Sequence, residues 1–497
     1  MSSADSIFRP ANAAPDGEFY TWWSANRHYK NTINVDSWTG RGHLRLRAVL
    51  VLSDLILKFA ISLNCLSHFF QRCESVRTIV LITNVYPTGS VTEGSFIEPE
   101  LEALRRNFDR VIVVPVFDSG ERQHIPCPEV EADLSLAQPL SLLSRISRLR
   151  FLASPSVLRE LPRIIRSVRG FRRCAGQCFY YMNVSYMHRK LLRWMKRRQI
   201  DPAQTLFYTF WFDFPTVALA RISADCGATV VSRAHGYDVY DNAHPNRPPE
   251  LRRFALEHLS ALYVVSEAGA AALNGFYPGF EDRIKVRHLG SSKPEPDSLS
   301  RPNDPDSGCM TFLSVSRVAL EKAVGRNLGF VSAVARRYPD RTIRWIHVGD
   351  GPEMTNLRSQ CDRERTALPN LTVDLRGALP NSRVHDLYRS EKIDWLLLFS
   401  DSEGLPISIC EGLSYGVPVI ATAVGGVPEI VTPEAGVTVA PDAAPDEIAD
   451  RVAGYFCDPD SYLALRRSAF ELWKRSFSSD ALREHFAAEI AGLQKKL

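Results

Sequence analysis

The stretch from position 395 to position 431 constrains this chain more than any other. It begins with an apolar block of strand length at 395–399 and continues through Ser400-Asp401-Ser402-Glu403-Gly404-Leu405-Pro406. A second apolar block, at 418–421, lies inside Gly416-Val417-Pro418-Val419-Ile420-Ala421-Thr422, and Gly425-Gly426-Val427-Pro428-Glu429 follows. Two short buried-type blocks separated by a helix-length segment read as neighbouring strands of a parallel sheet joined by a crossover helix. Pro406 stands where a first helical residue would, because its fixed φ suits that position and its missing N–H is not required there.

Two carboxylates lie in the crossover, Glu403 in the loop leaving the strand and Glu411 eight positions later, inside the helix. Gly404 lets a ligand approach the backbone closely, and the free N–H groups of a helix start suit phosphate. Carboxylates repel phosphate but accept hydrogen bonds from hydroxyls. A ligand that satisfies both carries a diphosphate with sugar hydroxyls on either side, which describes a nucleotide sugar.

With these residues the chain resembles the retaining glycosyltransferases of the two-Rossmann GT-B fold, whose hallmark is a Glu-x7-Glu element; Glu403 and Glu411 match it in spacing and context. The resemblance covers residues about 78–490 and is stronger in the second half. It implies that Glu403 holds hydroxyls of the donor sugar, that Gly404 and Leu405 offer backbone amides, and that Glu411 holds the ribose. It also implies that Arg317 and Lys322, after the first strand of the second domain, grip the donor diphosphate without a metal, and that the loop at Arg376-Gly377 receives the base. Two cations would neutralise the charge that grows on a departing nucleoside diphosphate. The family's usual Gly-Arg-Leu and Lys-Gly stand here as Ser316-Arg317-Val318 and Lys322-Ala323.

At 497 residues the chain is too long for one ordinary core, so two domains and an extension are expected. The fold class expected is α/β, two Rossmann-like domains facing a cleft, with an N-terminal helical extension. Residues 1–75 form that extension, 76–300 an acceptor-binding domain, 301–475 the nucleotide-sugar domain, and 476–497 a helix returning to the first domain. Strands are expected at 78–82, 111–116, 205–210, 228–232, 263–266 and 284–289 in the first domain, and at 310–316, 343–348 and 371–375 in the second, with a helix at 96–108. The loop after the first strand carries Gly89 and Gly94. His235, in Arg233-Ala234-His235-Gly236-Tyr237-Asp238, falls just past a strand at the edge where open α/β sheets bind ligands, and the resembling family uses such a histidine on the donor sugar or phosphate. The tail is helical, anchored by Trp473, Phe477 and Phe486, with Ser479 or Asp480 as an N-cap after a break.

Formal net charge is only +4, yet residues 141–198 contain fifteen Lys or Arg against one acidic residue, Glu160. Phe151, Ile164, Ile165, Phe171, Tyr180, Tyr181, Leu191 and Trp194 interleave with them, which favours an anionic membrane surface over nucleic acid; no base-reading module is present. Segment 44–70 is apolar enough to raise the question of a membrane span, but Asp54 and Lys58 in its middle favour a helix lying in the interface or docked on protein. The ten cysteines form no Cys-x-x-Cys and the amino terminus has no signal-peptide core, so a cytoplasmic protein, peripheral at the inner face of the membrane, is expected.

Three other motifs carry less. Asp304-Pro305-Asp306 and Asp458-Pro459-Asp460 read as turns rather than as metal-binding Asp-x-Asp pairs. Gly349-Asp350-Gly351 lacks the third glycine of a dinucleotide fingerprint, Met354 standing in its place. Gly412-Leu413-Ser414-Tyr415-Gly416 matches a nucleophile elbow, but a strand follows the serine where a helix is required. The function expected is transfer of a sugar from a UDP- or GDP-linked donor to a glycan or lipid-linked acceptor in cell-surface polysaccharide synthesis, with no cofactor and no metal. The alternatives are an epimerase or phosphorylase on the same fold, or a non-catalytic membrane-associated member.

Overall fold

The computed structural model describes residues 76–88, 91–122, 124–139, 149–167, 170–240, 246–293, 299–302 and 308–494. The extension 1–75 with its apolar segment 44–70, Gly89 and the Asp304-Pro305-Asp306 turn lie outside the described residues. No described helix is long and apolar enough to cross a membrane.

The first sheet takes its strands from residues of both branched and aliphatic character, beginning with β1 (Thr78–Thr83), every side chain of which is buried. Burial on both faces is the signature of a parallel sheet covered by helices on each side. The remaining strands are β2 (Arg110–Pro115), β4 (Glu131–Ala132), β6 (Thr205–Thr209), β7 (Thr229–Ala234), β8 (Ala261–Val264) and β9 (Ile284–Val286), while β3 (Phe117–Asp118) and β5 (Gln138–Pro139) pair separately. Their order is β4-β2-β1-β6-β7-β8-β9, all parallel. Side chains alternate between faces: Val80 and Ile82 join the core under helices Pro155–Ser167, Phe171–Arg198, Phe214–Cys226 and Pro249–His258, whereas Ile79 and Leu81 join the core under helices Val91–Asn107 and Ser479–Leu493.

The second sheet is built alike from β10 (Cys309–Val315), β11 (Thr342–Val348), β12 (Leu371–Leu375), β13 (Trp395–Leu398), β14 (Val419–Thr422) and β15 (Gly436–Val439). Its order is β12-β11-β10-β13-β14-β15, again parallel. Chain order reverses between β10 and β13, as it does between β1 and β6 in the first sheet. Ligands of such sheets bind beyond the carboxyl ends of the strands at this reversal, so the two reversals mark the candidate site.

Several boundaries differ from the sequence expectation: the strand expected at 263–266 is Ala261–Val264, the one expected at 284–289 stops at Val286, and the helix expected from 96 begins at Val91. Pro406 is the N-cap rather than the first residue of helix Ile407–Ser414. Gly94 lies within helix Val91–Asn107, not in the preceding loop. The tail helix is capped by Ser478, with no side-chain capping bond, and the Ser479 amide donates to the Ser291 carbonyl at 3.2 Å.

That last contact is part of a hinge. Ser291 N donates to the Phe477 carbonyl at 3.1 Å, and Trp473 Nε1 to Ser291 Oγ at 3.0 Å. Past it, helix Ser479–Leu493 lies on the first domain: Phe486 packs edge-on to Tyr208 and Tyr263, and Glu489 holds Arg287 at 2.6 Å.

The basic segment requires a correction. Phe151, Ile164, Tyr180, Tyr181, Leu191 and Trp194 are buried in the core of the first domain, leaving only Ile165 (64% exposed) and Phe171 (87%) of the interleaved apolar residues at the surface, beside Leu158 (54%). Helix Phe171–Arg198 turns one face to the sheet, where Trp194 Nε1 donates to Asp133 Oδ2 at 2.9 Å, so most of its large side chains serve packing.

Candidate functional site

The chain leaves β10 through Ser316 and Arg317, makes a single 3-10 turn at Leu320–Lys322, and enters helix Gly325–Arg337. The turn after β11 lies directly against this loop. A Cβ on Gly349, whose φ is +147°, would sit 1.8 Å from the Ser316 carbonyl oxygen; only glycine permits that approach. Ser316 N donates to Val348 O and Val318 N to Asp350 O, each at 3.0 Å. The loop is therefore set by its neighbour and presents Lys322 across to β13.

There Lys322 Nζ meets both oxygens of Glu403, at 2.7 and 2.8 Å. Glu403 is only 6% exposed, and a charge so deeply placed is tolerated when it is paired. Two further links join the loops: Asp401 N donates to Glu321 O at 2.9 Å, and Arg326 pairs with Asp401 at 2.8 Å. Arg317 stands apart from this group, 66% exposed, with its guanidinium on Glu321. Such an exposed pair is worth about 0–1 kcal/mol, so the Arg317 arm is free to move.

Behind them, helix Ile407–Ser414 carries Glu411 into the interior. Its Oε1 accepts from Asn381 Nδ2 at 2.6 Å, and burial pushes its carboxyl up to about 7 against the opposing pull of that bond. Ser414 donates to the Glu411 carbonyl at 2.6 Å from the end of the same helix, which removes the nucleophile elbow. Gly377, φ +68°, follows β12, and its carbonyl accepts from Gly349 N at 2.8 Å.

The first domain contributes the opposite wall. His235 follows β7 directly and is the N-cap of the short helical turn Gly236–Val239. Its ring lies 4.7 Å from that of Phe210 and 4.6 Å from that of Trp211, and burial, helped by nearby Arg233, pushes the imidazole down to about 3. It is a neutral ring, and both its nitrogens are buried without a hydrogen-bond partner among the described residues. Asp238 fixes the loop by accepting from His235 N and, at 2.7 Å, from Phe212 N.

The walls meet at two glycines. A Cβ on Gly236 would lie 2.8 Å from Gly404 N, so the His235 loop and the Glu403 loop touch backbone to backbone. Gly404 O accepts from Gly426 N at 2.9 Å, while Leu405 is buried beside Gly426. The amides of Gly404 and Leu405 donate to no group among the described residues. A second crossing is made by Glu429, which accepts from Glu267 N and Ala268 N and meets His288 Nε2, all at 2.9 Å; a carboxylate of one domain thus caps a helix of the other.

The structure brings together Lys322, Glu403, Gly404, Leu405 and the His235 loop, sets Glu411 behind them, and leaves Arg317 and Gly377 on flanking loops. Sequence reasoning missed Asn381, Asp238 and Glu429. Asp238 and Glu429 stand inside blocks that had already been singled out. Asn381 carries no pattern by which it could be found. Asp458 caps helix Pro459–Ser476 through Ser461, and no group of three metal-ligating side chains occurs among the described residues.

Residues 310–458 match the family model described as Glycosyl transferases group 1. The chain is 32% identical over 144 residues to a phosphatidylinositol N-acetylglucosaminyltransferase subunit of Arabidopsis thaliana, covering 29% of this chain and 30% of the relative. It is 23% identical over 221 residues to the putative colanic acid biosynthesis glycosyltransferase WcaL of Escherichia coli K12, covering 43% and 52%. The chain thus spans between 30% and 52% of these relatives' length. Among solved structures it is similar to Anabaena HepE in complex with UDP, with a TM-score of 0.57, 16% identity, and coverage of 84% of this chain and 100% of that one. Sucrose-phosphate synthase from Thermosynechococcus elongatus superposes with a TM-score of 0.58 at 16% identity, covering 84% and 99%. Two parallel sheets of reversed order, aligned over whole chains of this kind, establish the GT-B fold.

Proposed function

We propose that the protein is a retaining, metal-independent glycosyltransferase that moves a sugar from a nucleotide-sugar donor to a glycan or lipid-linked acceptor in cell-surface polysaccharide synthesis. The observation that carries this reading is the Lys322–Glu403 pair, set at the order reversal of the second sheet and within backbone contact of Gly236. A lysine has three N–H donors. It can serve a diphosphate oxygen while holding Glu403 oriented for sugar hydroxyls. Arg317 swings from Glu321 to share the phosphate charge, the Gly404 and Leu405 amides point to the same ligand, and Glu411 with Asn381 receives the ribose near the base loop at Gly377.

His235, being neutral, donates to or accepts from a hydroxyl rather than balancing phosphate charge. Catalysis is then positioning plus stabilisation of the charge that develops on the leaving diphosphate, whose oxygen takes the acceptor proton on the same face of the sugar. UDP is the first nucleotide to test, because HepE was solved with it. The exposed arginines around Ile165 and Phe171 favour an anionic, cytoplasmic membrane face as the working position of the acceptor domain.

The test is thermal unfolding with UDP, GDP, ADP, CMP and dTDP, followed by transfer assays with the sugar nucleotides of whichever binds. A ligand at one hundred times its Kd stabilises by about 2.7 kcal/mol. One nucleotide should raise the midpoint, Arg317→Ala and Glu411→Ala should weaken that effect, and the anomeric proton coupling of the product should match the donor's. Binding without transfer to any acceptor, with release of free or epimerised sugar, would replace the transferase reading with the epimerase or phosphorylase one.

A further inference from the structure

A cavity of about 570 Å³ opens in the helical layer of the first domain, lined from helices Pro155–Ser167, Phe171–Arg198, Phe214–Cys226 and Pro249–His258. It shares no lining residue with the Lys322–Glu403 site, and its size falls within the range of about 300–1,000 Å³ typical of small-molecule sites. Its wall carries three guanidiniums, Arg159, Arg189 and Arg221, against two carboxylates, Glu160 and Glu250. Both carboxylates are already engaged. Arg163 holds Glu160 at 2.8 Å and also reaches Glu250, which accepts from the Tyr181 hydroxyl at 2.5 Å as well. Among the described residues none of Arg159, Arg189 and Arg221 has a carboxylate partner.

Arg159 and Arg189 are exposed and screened by water, whereas burial holds the Arg221 guanidinium below its usual range, so the repulsion among the three like charges is felt most at Arg221. Burial, with Arg221 and Arg189 nearby, also lowers the His188 imidazole below its usual range, Asp225 opposing. A bound anion would relieve every one of these costs. The cavity also adjoins the exposed apolar stripe: Leu158 precedes Arg159 on the same helix, and Ile165 lies two turns further on.

We propose that this cavity binds a phosphate group, as a monoester or diester, held by Arg159, Arg189 and Arg221. Two sources share that chemistry: a lipid headgroup, whose chains would lie along Leu158 and Ile165, and a soluble phosphate ester. The site is independent of the nucleotide-sugar reading and stands if that reading fails.

The experiment uses the full chain and two probes, glycerol 3-phosphate in solution and vesicles of phosphatidylcholine with or without phosphatidic acid. Binding is read by vesicle flotation and by the imidazole resonances of His188, assigned with His188→Gln. The anion should raise the pKa of His188 and move its resonances, a local signal that phosphate at Lys322 would not produce. Arg189→Gln/Arg221→Gln should weaken binding at least tenfold, the scale of charge-assisted hydrogen bonds. Arg172→Gln/Arg173→Gln, exposed on the same basic segment, should change it less than about threefold, as surface charges do. Arg159→Gln/Arg189→Gln, both exposed, serves if the Arg221 variant fails to fold. A response to phosphatidic acid vesicles alone assigns the lipid source, and a response to glycerol 3-phosphate the soluble one. Equal loss in the pocket and surface pairs, or no response of His188 to either probe with folded protein, overturns the proposal.

Discussion

Gly236 and Gly404 belong to different domains and face each other so closely that a Cβ on either would lie within 2.8 Å of the other's amide nitrogen. The contact is between backbones, which cannot give way as a flexible side chain can. Gly236→Ala should therefore push the His235 loop off the Glu403 loop while leaving each domain folded. Misplacement by about 1 Å costs on the order of 100-fold in rate. Transfer should drop by that order with the unfolding midpoint nearly unchanged. Normal transfer by Gly236→Ala would show that the domains do not need this contact.

The Lys322–Glu403 pair separates two effects. Lys322→Ala leaves a carboxylate that is 6% exposed without its counter-charge, and stability should fall by roughly 1–3 kcal/mol. If Lys322 meets the donor phosphate as proposed, the variant should also lose about 100- to 1,000-fold in kcat, the cost of removing a preorganised donor elsewhere. Glu403→Gln keeps the shape and removes the buried charge, so it should lower transfer while leaving stability within about 1 kcal/mol. Denaturant unfolding alongside initial rates distinguishes the two, and a Lys322→Ala protein with full activity would remove Lys322 from catalysis.

The strands and their crossovers were legible because parallel-sheet strands are nearly continuous apolar runs, and the runs at 395–399 and 371–375 became β13 and β12 within a residue. Glu403 and Glu411 stood out in the sequence because their surroundings form a dense pattern. The buried side of helix Phe171–Arg198 was misread, since an alternation of arginine and aromatic residues looks the same whether the aromatics face lipid or a sheet. Glu429 and Asn381 escaped for another reason: each acts on a group far away in sequence, Glu429 on the amides of Glu267 and Ala268, and Asn381 on Glu411. No local pattern encodes such a pairing.

Ala323 records a cost that the sequence left unexplained. It follows Lys322 with φ 42° and ψ 42°, in the left-handed region, where a side chain costs about 1–2 kcal/mol. Glycine, usual at this position in the resembling family, would avoid it. Ala323→Gly should raise stability by up to about 1 kcal/mol after the added freedom of the unfolded chain is subtracted, measured as a shift of the denaturation midpoint at constant slope. If Ala323→Gly instead destabilises the protein, the left-handed turn is not the conformation in solution.

Glu429 offers a test of the hinge. Its carboxylate accepts from two amides at the start of helix Glu267–Phe276, and losing such a cap costs about 1 kcal/mol. Because carboxylate and helix sit in different domains, Glu429→Ala should loosen their relative orientation. Scattering should show a larger radius of gyration, and exchange should quicken at the Glu267 and Ala268 amides. An unchanged scattering curve with unchanged exchange would mean that His288 and the Ser291 hinge suffice.

Glu411 makes the protein's behaviour depend on pH in a direction that can be worked out. Its carboxyl is raised by burial from 4.5 to about 7. Below pH 4.5 the group is protonated in folded and unfolded chains alike and has no effect. Between 4.5 and 7 the folded chain keeps a proton that the unfolded chain has lost, so stability falls as pH rises, and the full penalty, roughly 3 kcal/mol, is reached above 7. Glu411→Gln, which still accepts from Asn381, should match the parent near pH 4.5 and exceed its stability at pH 8. Hydroxyls donated by a ribose favour the ionised carboxylate, so nucleotide should bind more tightly at pH 8 than at pH 6 and release a proton when it binds at pH 6, seen by calorimetry in buffers of different ionisation enthalpy. In the glutamine variant both dependences should vanish; if the parent's nucleotide affinity is flat from pH 6 to 8, the ribose does not meet Glu411.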